Sequence, residues 1–172
     1  MILHLKLILI LITPLIFQSC ENGKTNKKRN GLIVYQEAQI SWSRNFNPLS
    51  PAGSTRWPTK CGIHEPLFVY NSMTAKWVPW LAVGYNWNND NTILKIYIRK
   101  NVFWSDGHPF SAKDVAFTTQ IKRKFKALDT RNSWEYLDEV TAINDSVVQY
   151  KFNRVNVPGF DALATQAIVP KH

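Results

Sequence analysis

TILKIYIRKNVFWSDGHPFSAKDVAF, residues 92–117, is the stretch whose reading decides how this 172-residue chain folds. Its first half places Leu94, Ile96 and Ile98 in alternation with Lys95, Tyr97 and Arg99. That period of two predicts a strand with one buried face over residues 92–103. Asp106-Gly107 supplies a turn. Ser111 and Asp114 then have capping-box spacing: the serine oxygen accepts from exposed amides, and the aspartate faces the positive end of a helix. The helix predicted beyond them carries Phe117, Ile121, Phe125 and Leu128 on one stripe, with Lys122, Arg123, Lys124 and Lys126 mostly on other faces. A solvated basic face explains those cations better than a nucleic-acid patch does.

Downstream, residues 140–143 and 147–152 flank Asn144-Asp145-Ser146, and Val148, Tyr150 and Phe152 alternate with polar neighbours. This predicts a hairpin. Upstream, GLIVYQ at residues 31–36 reads as a short buried strand. Residues 41–58, rich in Trp, Asn, Ser and Pro, read as irregular. Residues 63–70 are apolar around Pro66 and fit either a helical turn or an edge element. No internal repeat is visible. The order of elements implies a mixed α/β chain, α+β in detail, without doubly wound alternation.

Hydrophobic residues make up 45% and charged ones 19%, so the chain is neither disordered nor fibrous. The formal charge is +9, but residues 1–30 carry five bases and one acid, leaving 16 bases against 11 acids, or +5. The basic balance is therefore a weak argument for nucleic acid, and none is expected as a partner. Two cysteines cannot build a disulfide framework. His4, His64, His108 and His172 are scattered, and Cys61-x-x-His64 lacks two further ligands, so no metal site is expected. There is no nucleophile elbow, no phosphate loop and no dinucleotide fingerprint. The reading is of a protein with no catalytic residues and no cofactor.

Residues 7–17 are apolar except for Thr13 and Pro14, follow Lys6, and end in Phe17-Gln18-Ser19-Cys20. That length has the proportions of a signal-peptide core and is short for a membrane span. A small residue before Cys at this point resembles a bacterial lipobox, with Phe17 and Gln18 as departures from its pattern. Residues 1–20 are thus expected to be a lipoprotein signal peptide ending at a lipidated Cys20, and 21–30 a flexible tether. Several acyl chains would anchor the protein to a membrane, each buried methylene contributing about 0.8 kcal/mol. An ordinary signal peptide with an incidental cysteine is the alternative.

The opening stretch resembles the signature of the extracytoplasmic solute-binding proteins that serve peptide and nickel ABC transporters. The matching places are Arg99-Lys100, Phe103 or Trp104, Asp106-Gly107, Pro109, Ser111-Ala112 and Asp114-Val115, with Phe110 a departure. PLFVYN (66–71) and WVPWLAVGYNWNND (77–90) upstream, and LDEVTAINDSVVQYKF (137–152) and IVPKH (168–172) downstream, continue the likeness over residues 31–172. It implies the N-terminal portion of a two-lobed periplasmic-binding-protein-like fold, with the second lobe absent. It implies a peptide or other small solute as ligand and an ABC permease as partner. A surface lipoprotein with an adhesive or structural role is the other reading. Matching Asn47-Pro48-Leu49 to the family places the cleft lining on Pro51, Ala52, Gly53 and Ser54, where a missing side chain at Gly53 would let a ligand backbone approach. A plain turn explains the same four residues. Trp134 is the aromatic candidate for the same cleft, and a core Trp is its alternative.

Overall fold

The computed structural model describes residues 44–50 and 62–172. The expected strand at 31–36, the segments 1–20 and 21–30 with Cys20, and the candidates Pro51, Ala52, Gly53 and Ser54 lie outside the described residues, as does Cys61. Strands β1 (Phe68–Asn71) and β2 (Lys76–Pro79) form an antiparallel hairpin, pairing Phe68 with Pro79 and Asn71 with Lys76. The apolar run around Pro66 therefore resolves into an edge element. A four-stranded sheet follows, built from β3 (Ala82–Trp87), β4 (Ile93–Ile98), β5 (Leu137–Asn144) and β6 (Val147–Phe152) in the order β3-β4-β6-β5, with every pair antiparallel. Helix α1 (Ala112–Lys124) carries the chain from β4 to the far edge, and β6 returns between them. The short helix α2 (Phe160–Ala164) closes the core. Antiparallel sheets with one long helix make this α+β.

The predicted alternation holds where it was read. Leu94, Ile96 and Ile98 of β4 and Val148, Tyr150 and Phe152 of β6 are all buried, facing Leu137 and Val140 of β5. Full burial of each Leu, Ile or Phe contributes about 1.5–3 kcal/mol. The hairpin turns as expected, with the Ser146 amide donating to the Asn144 side chain at 2.8 Å.

The strand predicted over 92–103 ends earlier, at Ile98. The Arg99 amide turns to donate to the Leu81 carbonyl at 2.9 Å, and Asn101 adopts a left-handed φ of 58°. Those conformations break a strand, so Phe103 is left in an isolated bridge to Pro109. Gly107, at φ 88°, closes the expected turn between them, where a side chain would be strained.

The helix begins as its sequence requires, with Ser111 and Asp114 forming the capping box. Its buried face differs from the stripe the sequence suggests. Ala112, Val115, Ala116, Thr118 and Thr119 are buried, whereas Phe117 and Ile121 are half-buried and Phe125 is half exposed. The helix ends at Lys124, and Leu128 belongs to a separate 3-10 turn, Lys126–Leu128. Small side chains let the helix sit close on the sheet, and two threonine hydroxyls satisfy polar atoms there. The Thr118 hydroxyl donates to the Asp114 carbonyl at 2.8 Å and accepts from the Val169 amide at 3.0 Å.

Candidate functional site

The described segment that precedes the expected cleft lining is held by its own asparagines. The Asn47 amide donates to the Asn45 side chain at 3.0 Å, and the Leu49 amide to the Asn47 side chain at 3.0 Å. These side-chain turns are what Asn offers an irregular segment. They deliver Pro48, Leu49 and Ser50 to a cavity of about 290 Å³, whose other walls include Lys122, Asp129, Arg131 and Gln166.

The opposite side of this cavity is the loop after α1. Asp129 holds it, its two carboxylate oxygens accepting from the Ser133 and Trp134 amides at 2.9 Å each. Lys122 and Asp129 also line a neighbouring cavity of about 380 Å³, together with Arg123, Asn132, Trp134 and Glu135. Trp134 is half-buried: its indole N–H donates to the Thr119 carbonyl at 2.9 Å, and the Arg123 guanidinium lies 4.9 Å from its ring centre. Its ring is thus packed against α1 and lines that neighbouring cavity. Lys122 Nζ donates to Gln166 at 2.8 Å, Gln166 donates to Thr119 at 3.1 Å, and Arg131 pairs with Asp161. The result is an open, polar wall in which Lys122, Arg123 and Arg131 stand among Asp129, Glu135 and Asp161. The sequence reading assigned Lys122 only to a solvated face, and it missed Asp129, Arg131 and Gln166. Their signal is tertiary, because the loop carrying Asp129 and Arg131 and the segment carrying Gln166 are far apart in the chain.

A second cluster lies apart from these cavities. Asp106 Oδ2 is 2.8 Å from His172 Nε2, and Asp106 Oδ1 is 3.2 Å from His108 Nδ1. The His172 contact, followed by the His108 amide, holds the Asp106 carboxyl down at about 2. The sequence reading treated these histidines as scattered, and the fold corrects that. Asp106 and His172 are 66 positions apart, a separation that spacing alone does not reveal. The closing IVPKH run reaches this point because Lys171 donates its amide to Asp114 at 2.8 Å.

The family model described as bacterial extracellular solute-binding proteins, family 5 Middle, matches residues 76–172. A protein of Brucella ovis named as an ABC transporter peptide-binding protein is 27% identical over 135 residues, covering 74% of this chain and 24% of its own. The nickel-binding periplasmic protein of Escherichia coli is 26% identical over 137 residues, covering 74% and 25%. Among solved structures, a periplasmic oligopeptide-binding protein of Thermotoga maritima, crystallised with mannohexaose, superposes with a TM-score of 0.69 at 29% identity, covering 74% and 24%. The chain spans about a quarter of the length of these relatives.

Proposed function

The chain belongs to the bacterial extracellular solute-binding proteins of family 5, and from that premise we propose that it is part of the receptor subunit of an ABC transporter, capturing peptides outside the cytoplasmic membrane and delivering them to a permease. The observation that carries this is the match over residues 76–172 together with relatives named for peptide and nickel binding. The polar lining beside Pro48, Leu49 and Ser50, with Lys122, Asp129, Arg131 and Gln166, supports a polar ligand such as a peptide over an apolar one. The resemblance assigns Pro51, Ala52, Gly53 and Ser54 to the ligand surface, and Trp134 lines the neighbouring cavity.

Both cavities are open and shallow, and they provide one side of a cleft. A second side is needed to desolvate a peptide and satisfy its backbone, because association alone costs at least about 4 kcal/mol. Isothermal titration with a short-peptide pool, on this chain and on a form extended to the span of its relatives, tests the reading. The extended form is expected to bind at about micromolar affinity or tighter, and this chain far more weakly. Micromolar binding by this chain alone would refute the two-sided cleft. An extended form that binds no peptide would refute the peptide assignment.

The N-terminal run ending at Ser19-Cys20 supports export and a lipid anchor on Cys20, with residues 21–30 as the tether. Mass spectrometry of the N-terminal peptide from membrane-fractionated protein is expected to find acyl chains on Cys20. An unmodified Cys20 would remove the anchor from this reading.

A further inference from the structure

Asp106, His108 and His172 each bring one metal-binding atom within 4.8 Å of the other two. We propose that these three side chains form a surface site for a divalent transition-metal ion of the zinc or nickel type, separate from the peptide wall and independent of that reading. Two imidazoles and a carboxylate are a donor set that suits such ions better than magnesium or calcium. Bonds of about 2.0–2.2 Å to one ion need donor atoms about 3–3.5 Å apart. The Asp106–His contacts, 2.8 Å through Oδ2 and 3.2 Å through Oδ1, are near that spacing, each histidine meeting its own carboxylate oxygen.

The backbone prepares the arrangement. Two backbone hydrogen bonds close the turn, the Trp104 amide donating to the His108 carbonyl at 2.8 Å and the Gly107 amide to the Trp104 carbonyl at 2.9 Å. The His108 amide also donates to Asp106 Oδ1 at 3.1 Å, which sets the carboxylate beside its neighbour. His172 is positioned from the other side by the Lys171–Asp114 bond. The two imidazoles stack with centres 4.2 Å apart and planes 23° apart. Stacked rings do not aim their lone pairs at one point, so one ring must turn about χ2 as the ion enters. That torsion is broad, and the His108 side chain is 61% exposed, so the rotation meets little resistance. Each histidine then carries its proton on the outer nitrogen and gives the inner lone pair to the ion. Water completes the coordination.

The test is isothermal titration of the untagged 172-residue chain with zinc chloride alone and with nickel chloride alone. One ion per chain is expected, at a dissociation constant of about 1–100 µM. His108→Gln and His172→Gln should each weaken binding at least about tenfold, with circular dichroism unchanged, while His64→Gln leaves it intact. The ion should also raise the melting temperature of the parent and not of the two variants, since it ties together distant segments. No saturable binding, affinity in both variants equal to the parent's, or loss on His64→Gln instead would overturn the site. Should a variant fail to fold, the ring resonances of His108 and His172 in the parent decide the matter. Stoichiometric zinc should shift both, and unshifted resonances would overturn the proposal.

Discussion

One oxygen of Asp114 accepts from the Ser111 amide at 2.9 Å and the other from the Lys171 amide at 2.8 Å, within a side chain that is almost fully buried. Ser111 in turn accepts from the Lys113 amide at 3.3 Å. Ser111→Ala is expected to cost about 0.5–2 kcal/mol in thermal unfolding, the range for a lost N-cap, with peptide affinity of the extended form unchanged. A fall in affinity at constant stability would place this turn in the ligand surface. Asp114→Ala should cost more, about 2–4 kcal/mol, because two partly buried hydrogen bonds to a charged group are lost together. Tyr150 presents the opposite case. Its hydroxyl is fully buried and completes no hydrogen bond among the described residues, although Thr119 and Gln166 lie close by and bond to each other. Tyr150→Phe is therefore expected to leave stability unchanged or raise it slightly. A loss above about 1 kcal/mol in urea unfolding would show that the hydroxyl has a partner.

Among the elements, α1 shows how small residues set a packing distance. Ala112 and Ala116 are buried where larger side chains would lift the helix off β5 and β6. Ala116→Leu is expected to destabilise the chain by about 1–3 kcal/mol through overpacking. Thr118→Val keeps the shape but removes the acceptor for the Val169 amide, and should cost a similar amount. An unperturbed melting temperature for Thr118→Val would mean that the closing segment does not depend on that hydroxyl. The same contact explains why IVPKH and the capping box occur together: the segment at residues 168–172 docks on the first turns of α1 through Asp114 and Thr118.

Across the whole molecule, the pH dependence of stability follows from groups that the fold shifts. Asp106 is lowered from 3.8 to about 2, mainly by its hydrogen bond to His172. A depressed carboxyl stabilises above its unfolded value and loses that contribution as pH falls through the folded one. Stability should thus decline from about pH 4 to pH 2, and Asp106→Asn should flatten part of that decline in metal-free buffer. At the alkaline end the sign reverses. Burial raises Tyr150, and the hydrogen bonds to Asp145 and Asp138 raise Lys113 and Lys151. Groups raised in the folded state stabilise below their unfolded values, so stability should fall above about pH 10. Urea midpoints across pH 2–11 for the parent and Tyr150→Phe provide the check. A flat alkaline limb in the parent would contradict the burial of that hydroxyl.

What the sequence determined by itself is local: β4 and β6 from alternation, the turn from Asp106-Gly107, the helix start from Ser111 and Asp114, and the family from their order. Each depends on residues within a few positions of one another, where chain geometry leaves few choices. Only the tertiary structure decided which face of α1 is buried, because the amphipathic stripe of Phe117, Ile121 and Phe125 competes with closer packing by Ala and Thr. Only it decided where β4 stops, because Asn101 turns to a left-handed φ and the Arg99 amide bonds to Leu81, the residue just before β3. The polar wall and the Asp106, His108 and His172 cluster join segments many residues apart. Their partners are chosen by how the sheet and helix pack, and no short-range pattern encodes that choice.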